Sequence, residues 1–226
     1  MRLLYHVPLC PFSRKVRLVL NEKGLDHQLQ VEKVWERRDA FLALNPAGQV
    51  PVLVEGDDSV PGPVLAESQA IAEYLEEIAP TPALMGGTPA TRAEVRRLVL
   101  WFDLKFDRDV TRNLVGEKIM KRFLGLGPPN SAAIRAGHAN LPIHLDYISY
   151  LVERRSWLAG DQMSLADVAA AAHLSCIDYI GDVPWEAYEL AKNWYARIKS
   201  RPSFRSILAD HIAGMPPPKH YADLDF

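Results

Sequence analysis

The chain has 226 residues, 48% of them hydrophobic and 24% charged, and a formal net charge of -2. This is the make-up of a globular chain forming one large domain or two small ones, and its near-neutral balance does not ask for nucleic acid or an anionic membrane as partner. Two widely separated cysteines, Cys10 and Cys176, suggest neither a disulfide framework nor a zinc site and point to a reducing cytoplasm. The N-terminus carries no apolar signal-peptide core, and no run is long enough for a membrane span, so neither export by that route nor a membrane span is expected.

Arg2 to Val7 is rich in strand formers and ends at Pro8, which predicts a first strand. After the Pro8 to Pro11 turn, Val16, Val19 and Leu20 follow helical spacing, and Gly24 stands at a helix C-cap. Cys10 thus falls in the loop and Ser13 in the first helical turn. Alternating Leu25, Leu29, Val31 and Val34 predict a second strand parallel to the first, followed by a charged, irregular connection over residues 35–44. Asn45, Pro46 and Gly48 read as a turn, and Val50 to Val54 as a buried strand interrupted by Pro51. Proline offers no donor to a strand ladder, so a cis Val50-Pro51 bond with a free backbone edge for a peptide-like ligand is one reading, and a plain edge strand the other. Residues 63–66 complete a hairpin, and Ile71, Tyr74, Leu75 and Ile78 mark a helix from Ser68.

Three prolines and two glycines between Ala79 and Thr91 mark a linker. Beyond it everything reads as helix. Leu98, Trp101, Phe102, Phe106, Val110 and Leu114 form one apolar stripe over residues 92–123, and the interleaved basic and acidic residues read as a solvated face. A second helix spans 131–155 with Pro142 inside it. Ser164 and Asp167 form a capping box ahead of a helix over 165–179 that is apolar nearly all round, hence central. Helices over 188–201 and 204–213 follow. The domain division is therefore 1–79, a linker 80–91, a helical domain 92–213 and a proline-rich tail 214–226. The seven histidines show no metal-ligand spacing, so no metal site is assigned.

The segments Cys-Pro-Phe-Ser-Arg-Lys-Val-Arg from Cys10, Asn-Pro-Ala-Gly-Gln-Val-Pro-Val-Leu from Asn45, Glu-Ser-Gln-Ala-Ile-Ala-Glu-Tyr-Leu from Glu67, and Gly-Asp-Gln-Met-Ser-Leu-Ala-Asp from Gly160 occur in that order. With Trp-Tyr-Ala-Arg-Ile-Lys-Ser-Arg-Pro from Trp194, the set resembles the glutathione S-transferase superfamily over about residues 1–210. The resemblance implies an α/β thioredoxin-like N-terminal domain, an all-α C-terminal domain and a homodimer. It also implies that Cys10 occupies the position of a reactive cysteine, and that Val50 and Pro51 match the strand pairing with the cysteinyl backbone of glutathione. In the same way Glu67 and Ser68 match the pair that holds its γ-glutamyl end, and Arg37 falls near a basic position for its glycyl carboxylate.

On physical grounds, a cysteine at the start of a helix with Arg14 and Lys15 within a turn is expected to be a stabilised thiolate. Ser13 stands where a C-x-x-C pair would have its second cysteine, which makes it a secondary catalytic candidate and argues against dithiol cycling. Cys176, in an apolar helix, reads as an inert core thiol.

The end of the chain, Met215 to Phe226, has no part in glutathione chemistry. A stiff proline run can carry Tyr221, Asp223, Leu224, Asp225 and Phe226 out to a partner, or lay them across the domain's own surface. With this tail included, the chain resembles, within the superfamily, transferase-like proteins of bacterial cell division. That resemblance implies a cytoplasmic homodimer at the division site that binds FtsZ filaments, favours curved or bundled ones and supports constriction, with no cofactor. The alternative is an active glutathione S-transferase or thiol transferase using Cys10 and glutathione.

Overall fold

The computed structural model describes residues 1–56 and 59–224, so Asp225 and Phe226 of the expected partner-binding tail lie outside the described residues. Its N-terminal half is a mixed sheet of order β2-β1-β3-β4. β1 (Arg2–His6) pairs in parallel with β2 (Gln28–Val31) and antiparallel with β3 (Val52–Gly56), which forms a hairpin with β4 (Pro61–Ala66). The crossover between β1 and β2 is α1 (Pro11–Glu22), followed by Gly24 at φ +62, a left-handed conformation that glycine adopts without a Cβ penalty. The strand expected over residues 25–34 is shorter because β2 is an edge strand whose four residues are all exposed, so its alternation has no second buried face to extend it. The connection expected to be irregular contains a 3-10 turn (Val34–Glu36) and α2 (Asp39–Leu44), which seats Phe41 in the interior. The Val50-Pro51 peptide is cis.

After α3 (Ser68–Ile78) the chain crosses to the helical half. α4 (Pro89–Leu100) begins inside the segment read as linker, because Thr88 and Thr91 form a reciprocal cap and Pro89 fits the first turn, where a missing N–H costs nothing. The helix continues as a π-wound stretch (Trp101–Met120) into α5 (Lys121–Phe123). α6 (Ser131–Val152) is capped by Asn130, whose Oδ1 accepts the Ala132 and Ala133 N–H groups.

At the centre lies α7 (Leu165–Tyr179), in which every residue is buried. Its capping box is formed: Ser164 Oγ accepts the Ala166 N–H, and Asp167 accepts the Ser164 N–H at 2.9 Å. α7 packs against α1, which joins the two halves, and α8 (Glu189–Lys199) packs against α6. The last helix expected over residues 204–213 is only a 3-10 turn (Pro202–Phe204) and α9 (Arg205–Leu208). It stops there because Asp210 is drawn to Arg14 and Arg17 of α1.

The tail departs most from the idea of an outward arm. Tyr221, expected as a partner contact, is 0% exposed: its ring stacks edge-on against Tyr179 and its hydroxyl donates to the Ile207 carbonyl at 3.1 Å. Burying the ring in the helical core outweighs leaving it in water, and the proline run folds back to permit it. Asp223 and Leu224 remain exposed.

Candidate functional site

The Pro8–Cys10 turn is closed by the Cys10 N–H donating to the Val7 carbonyl at 3.0 Å. This makes Cys10 the N-cap of α1, with Pro11 at the first helical position, where its fixed φ suits the helix. Cys10 is half-buried, with Sγ 4.0 Å from the Val50 carbonyl oxygen. These residues border a cleft of about 470 Å³ between the sheet and the long helix.

Of the seven residues singled out for this site in the sequence, the cleft brings together five: Cys10, Val50, Pro51, Glu67 and Ser68. Ser13 is not among them. It is fully buried behind Cys10 and its Oγ accepts the Val7 N–H at 3.4 Å, so it is a structural neighbour of the thiol and out of reach of a substrate. Arg37 is also outside the lining. It is exposed, in the left-handed region at φ 47, with its guanidinium beside the turn at Gly48.

Glu67 sits at φ 72, a conformation that costs a non-glycine residue on the order of 1–3 kcal/mol. It leads into α3, whose N-terminus has no side-chain cap and no acidic residue in its first turn. The free N–H groups of that turn and the positive end of the helix dipole are suited to a carboxylate. The cleft can therefore hold an extended, carboxylate-bearing, peptide-like molecule.

The expected thiolate at Cys10 is corrected by the geometry. Arg14 donates to the Pro8 carbonyl, Ser175 Oγ and Asp210, while Lys15 is paired with Asp103. Both charges are thus committed to other partners. Burial pushes the Cys10 thiol above its ordinary value, and the neighbouring Ser13 and Phe12 groups offset only part of this. Cys176 is fully buried, with Sγ 3.4 Å from the Leu9 carbonyl, and burial pushes its thiol up to about 12.

Sequence reasoning missed what the helical half contributes. Asp103 lines the cleft, and behind it lies a buried network in which Thr111 bonds His173 Nδ1 at 2.9 Å while His173 Nε2 stands 3.5 Å from Asp103 Oδ1. Burial raises the Asp103 carboxyl, but His173 and Lys15 outweigh it and hold the group below its ordinary value. A signal was present: Asp103 and Asp107 are four residues apart and so share one face, at the border of the stripe formed by Phe102 and Phe106. Among the described residues no cluster of His, Cys, Asp or Glu is arranged to hold a metal, and no helix is long and apolar enough to cross a membrane.

Comparison with known proteins covers both halves. Residues 4–83 match the glutathione S-transferase N-terminal domain, and residues 128–202 match the glutathione S-transferase C-terminal domain. The chain is 52% identical to the FtsZ-localized protein A of Caulobacter vibrioides, over 100% of this chain and 98% of that protein. Its fold is similar to that of a glutathione S-transferase from Rhodospirillum rubrum F11, with TM-score 0.96, 57% identity and full coverage of both chains. It is equally similar to FzlA from C. crescentus, with TM-score 0.96, 52% identity and coverage of 100% of this chain and 99% of that one. Matched in both halves and along its whole length, the chain belongs to the glutathione S-transferase family.

Proposed function

We infer that this chain is a non-catalytic member of the family that binds FtsZ filaments at the division site, favours curved or bundled filaments and supports constriction. The observation that carries this reading is its 52% identity, over the full length and tail included, to a protein named for its localisation with FtsZ. The unactivated Cys10 thiol agrees with it, since a transferase using this cysteine would need a thiolate near neutral pH. The chain acts as a homodimer. Exposed apolar residues support this: Val64 on the edge strand β4, Ile78 on α3, and Leu100 and Leu104 on the long helix are left without cover in one copy. Two copies would give two-point attachment and hence avidity on a repeating filament.

The test is co-sedimentation of the purified protein with FtsZ polymerised by GTP, with filament shape followed by electron microscopy. The expected result is saturable pelleting with filaments and increased curvature or bundling. Protein that stays in the supernatant at saturating filament would overturn the reading.

The second reading is a glutathione transferase or thiol transferase, favoured by the five residues gathered in the cleft with an open α3 N-terminus. Calorimetric titration with glutathione, paired with a conjugation assay on a chloronitrobenzene, separates the two. Binding lost in Glu67→Ala and Ser68→Ala, together with turnover lost in Cys10→Ala, would restore the enzyme.

A further inference from the structure

Beside the cleft lies a second concavity of about 530 Å³ between the sheet half, the end of the long helix and the segment after α9. Its walls are Val31, Trp35, Ile119, Met120, Phe123 and Ile212, and the indole of Trp35 stacks on the Phe123 ring at 5.8 Å between centroids and 13° between planes. The apolar surface does not end at the rim. Phe123 is followed by Leu124 and Leu126, both exposed, Leu126 at 64%, on a loop held open by positive-φ Gly125 and Gly127. Apolar surface that runs from a concavity onto a convex loop exceeds what a small molecule covers and suits a protein segment.

Charge narrows the partner. None of the residues lining the groove is acidic; Lys33 and His211 are among them, and Lys33 is paired with Glu36 at 3.0 Å. Arg122, one residue before Phe123, reaches back toward Gly214 beside the groove. Neither Arg122 nor His211 has an ion pair among the described residues, and the nearest carboxylate in sequence, Asp210, is occupied by Arg14 and Arg17. The neighbouring cations Lys118 and Lys121 are paired with Asp182 and Glu117.

We propose that the Trp35–Phe123 groove is the surface that receives the filament partner, binding an acidic segment that inserts a bulky apolar side chain between β2 and the long helix. This rests on the filament reading and adds to it the face and the chemistry of the contact. Apolar insertion supplies the affinity, and Arg122 supplies orientation and a salt-dependent association rate.

The test compares full-length wild type with Trp35→Ala, Arg122→Glu and, as a control in the turn after α6, Arg154→Glu. Co-sedimentation with FtsZ filaments is measured with the thermal midpoint and oligomeric state of each variant. Trp35→Ala and Arg122→Glu are expected to weaken filament binding at least about tenfold, with Arg154→Glu changing it less than about twofold. Because Arg122 is exposed, its charge reversal keeps the fold even if the Trp35 variant does not. Binding by wild type and both groove variants alike would overturn the groove while leaving the filament reading intact. Failure of wild type to bind would remove both. Loss of self-association in the groove variants, with filament binding unchanged per subunit, would assign the groove to a second copy and also overturn the proposal.

Discussion

Around the cleft, polar groups keep bonding capacity in reserve: the first-turn N–H groups of α3 have no side-chain cap. Along the C-terminal segment the same kinds of groups are consumed. Tyr179 donates its hydroxyl to the Met215 carbonyl and accepts the Ile212 N–H, Lys199 donates to the His220 carbonyl, and His220 Nε2 meets Asp178 at 3.1 Å. Asp210 closes the series by accepting from both Arg14 and Arg17 across the two halves. The open groups can serve a ligand, whereas the closed ones serve the fold. The tail up to Tyr221 is therefore framework.

That contrast is broken most severely at Tyr221. Tyr221→Ala empties a fully buried aromatic site and removes the bond to Ile207, at a cost of about 3–5 kcal/mol, read as a large fall in thermal midpoint. Asp210→Ala is expected to cost a similar roughly 3–5 kcal/mol, because the buried guanidiniums of Arg14 and Arg17 lose their carboxylate. Leu224→Ala, three residues past the buried tyrosine, should stay within about 0.5 kcal/mol in chemical denaturation. A deletion from Pro216 would confound lost binding with lost stability, so a cut after Ala222 is the sound way to probe the tail. Equal losses at Tyr221 and Leu224 would remove the distinction between the buried framework and the exposed Leu224.

How far the sequence revealed these regions follows from the range of the forces involved. The hairpin, the apolar surround of α7 and its Ser164–Asp167 cap are local patterns found where they were read, whereas the alternation over residues 25–34 overran β2 at both ends. The grouping of Cys10 with Val50, Pro51, Glu67 and Ser68 was legible through the order of motifs, since spacing alone does not bring position 10 to position 67. What escaped depends on distant partners. Arg14 and Lys15 lie within a turn of Cys10 in sequence, but Asp210 and Asp103 claim them. The tail reads as a stiff spacer until Tyr221 finds Tyr179, and nothing near Pro216 announces that contact.

The two thiols offer an intermediate test, reporting access more than stability. Cys10 borders the open cleft, whereas Cys176 sits in the closed core between Leu9 and Ala172. Alkylation of the native protein, resolved by mass spectrometry, should label Cys10 alone. Its rate should keep climbing through the alkaline range past the ordinary thiol value, because burial raises that group. Cys176, pushed up to about 12, should react only after unfolding. Rapid labelling of Cys10 at neutral pH would mean that a cation stabilises its thiolate after all, and would revive the transferase.

A small effect lies outside both regions and supplies their baseline. Glu94 on α4 is held by Arg97 at 2.8 Å and by Arg155, beyond the end of α6, at 2.8 Å. The Arg97 hydrogen bonds lead in drawing its carboxyl down to about 2 against an opposing effect of burial, with Arg155 assisting. A carboxylate with a depressed folded-state pKa adds stability that is present above its ordinary value of 4.5 and is lost as pH falls toward 2. Because Arg97 is about half exposed, solvent screens the pair and the gain is below about 1 kcal/mol. Glu94→Gln should therefore lower the thermal midpoint slightly at neutral pH, less so in high salt, and not at all near the acid limit. An undiminished difference in acid would assign the loss to packing of the side chain, since protonated Glu94 and glutamine then carry the same charge.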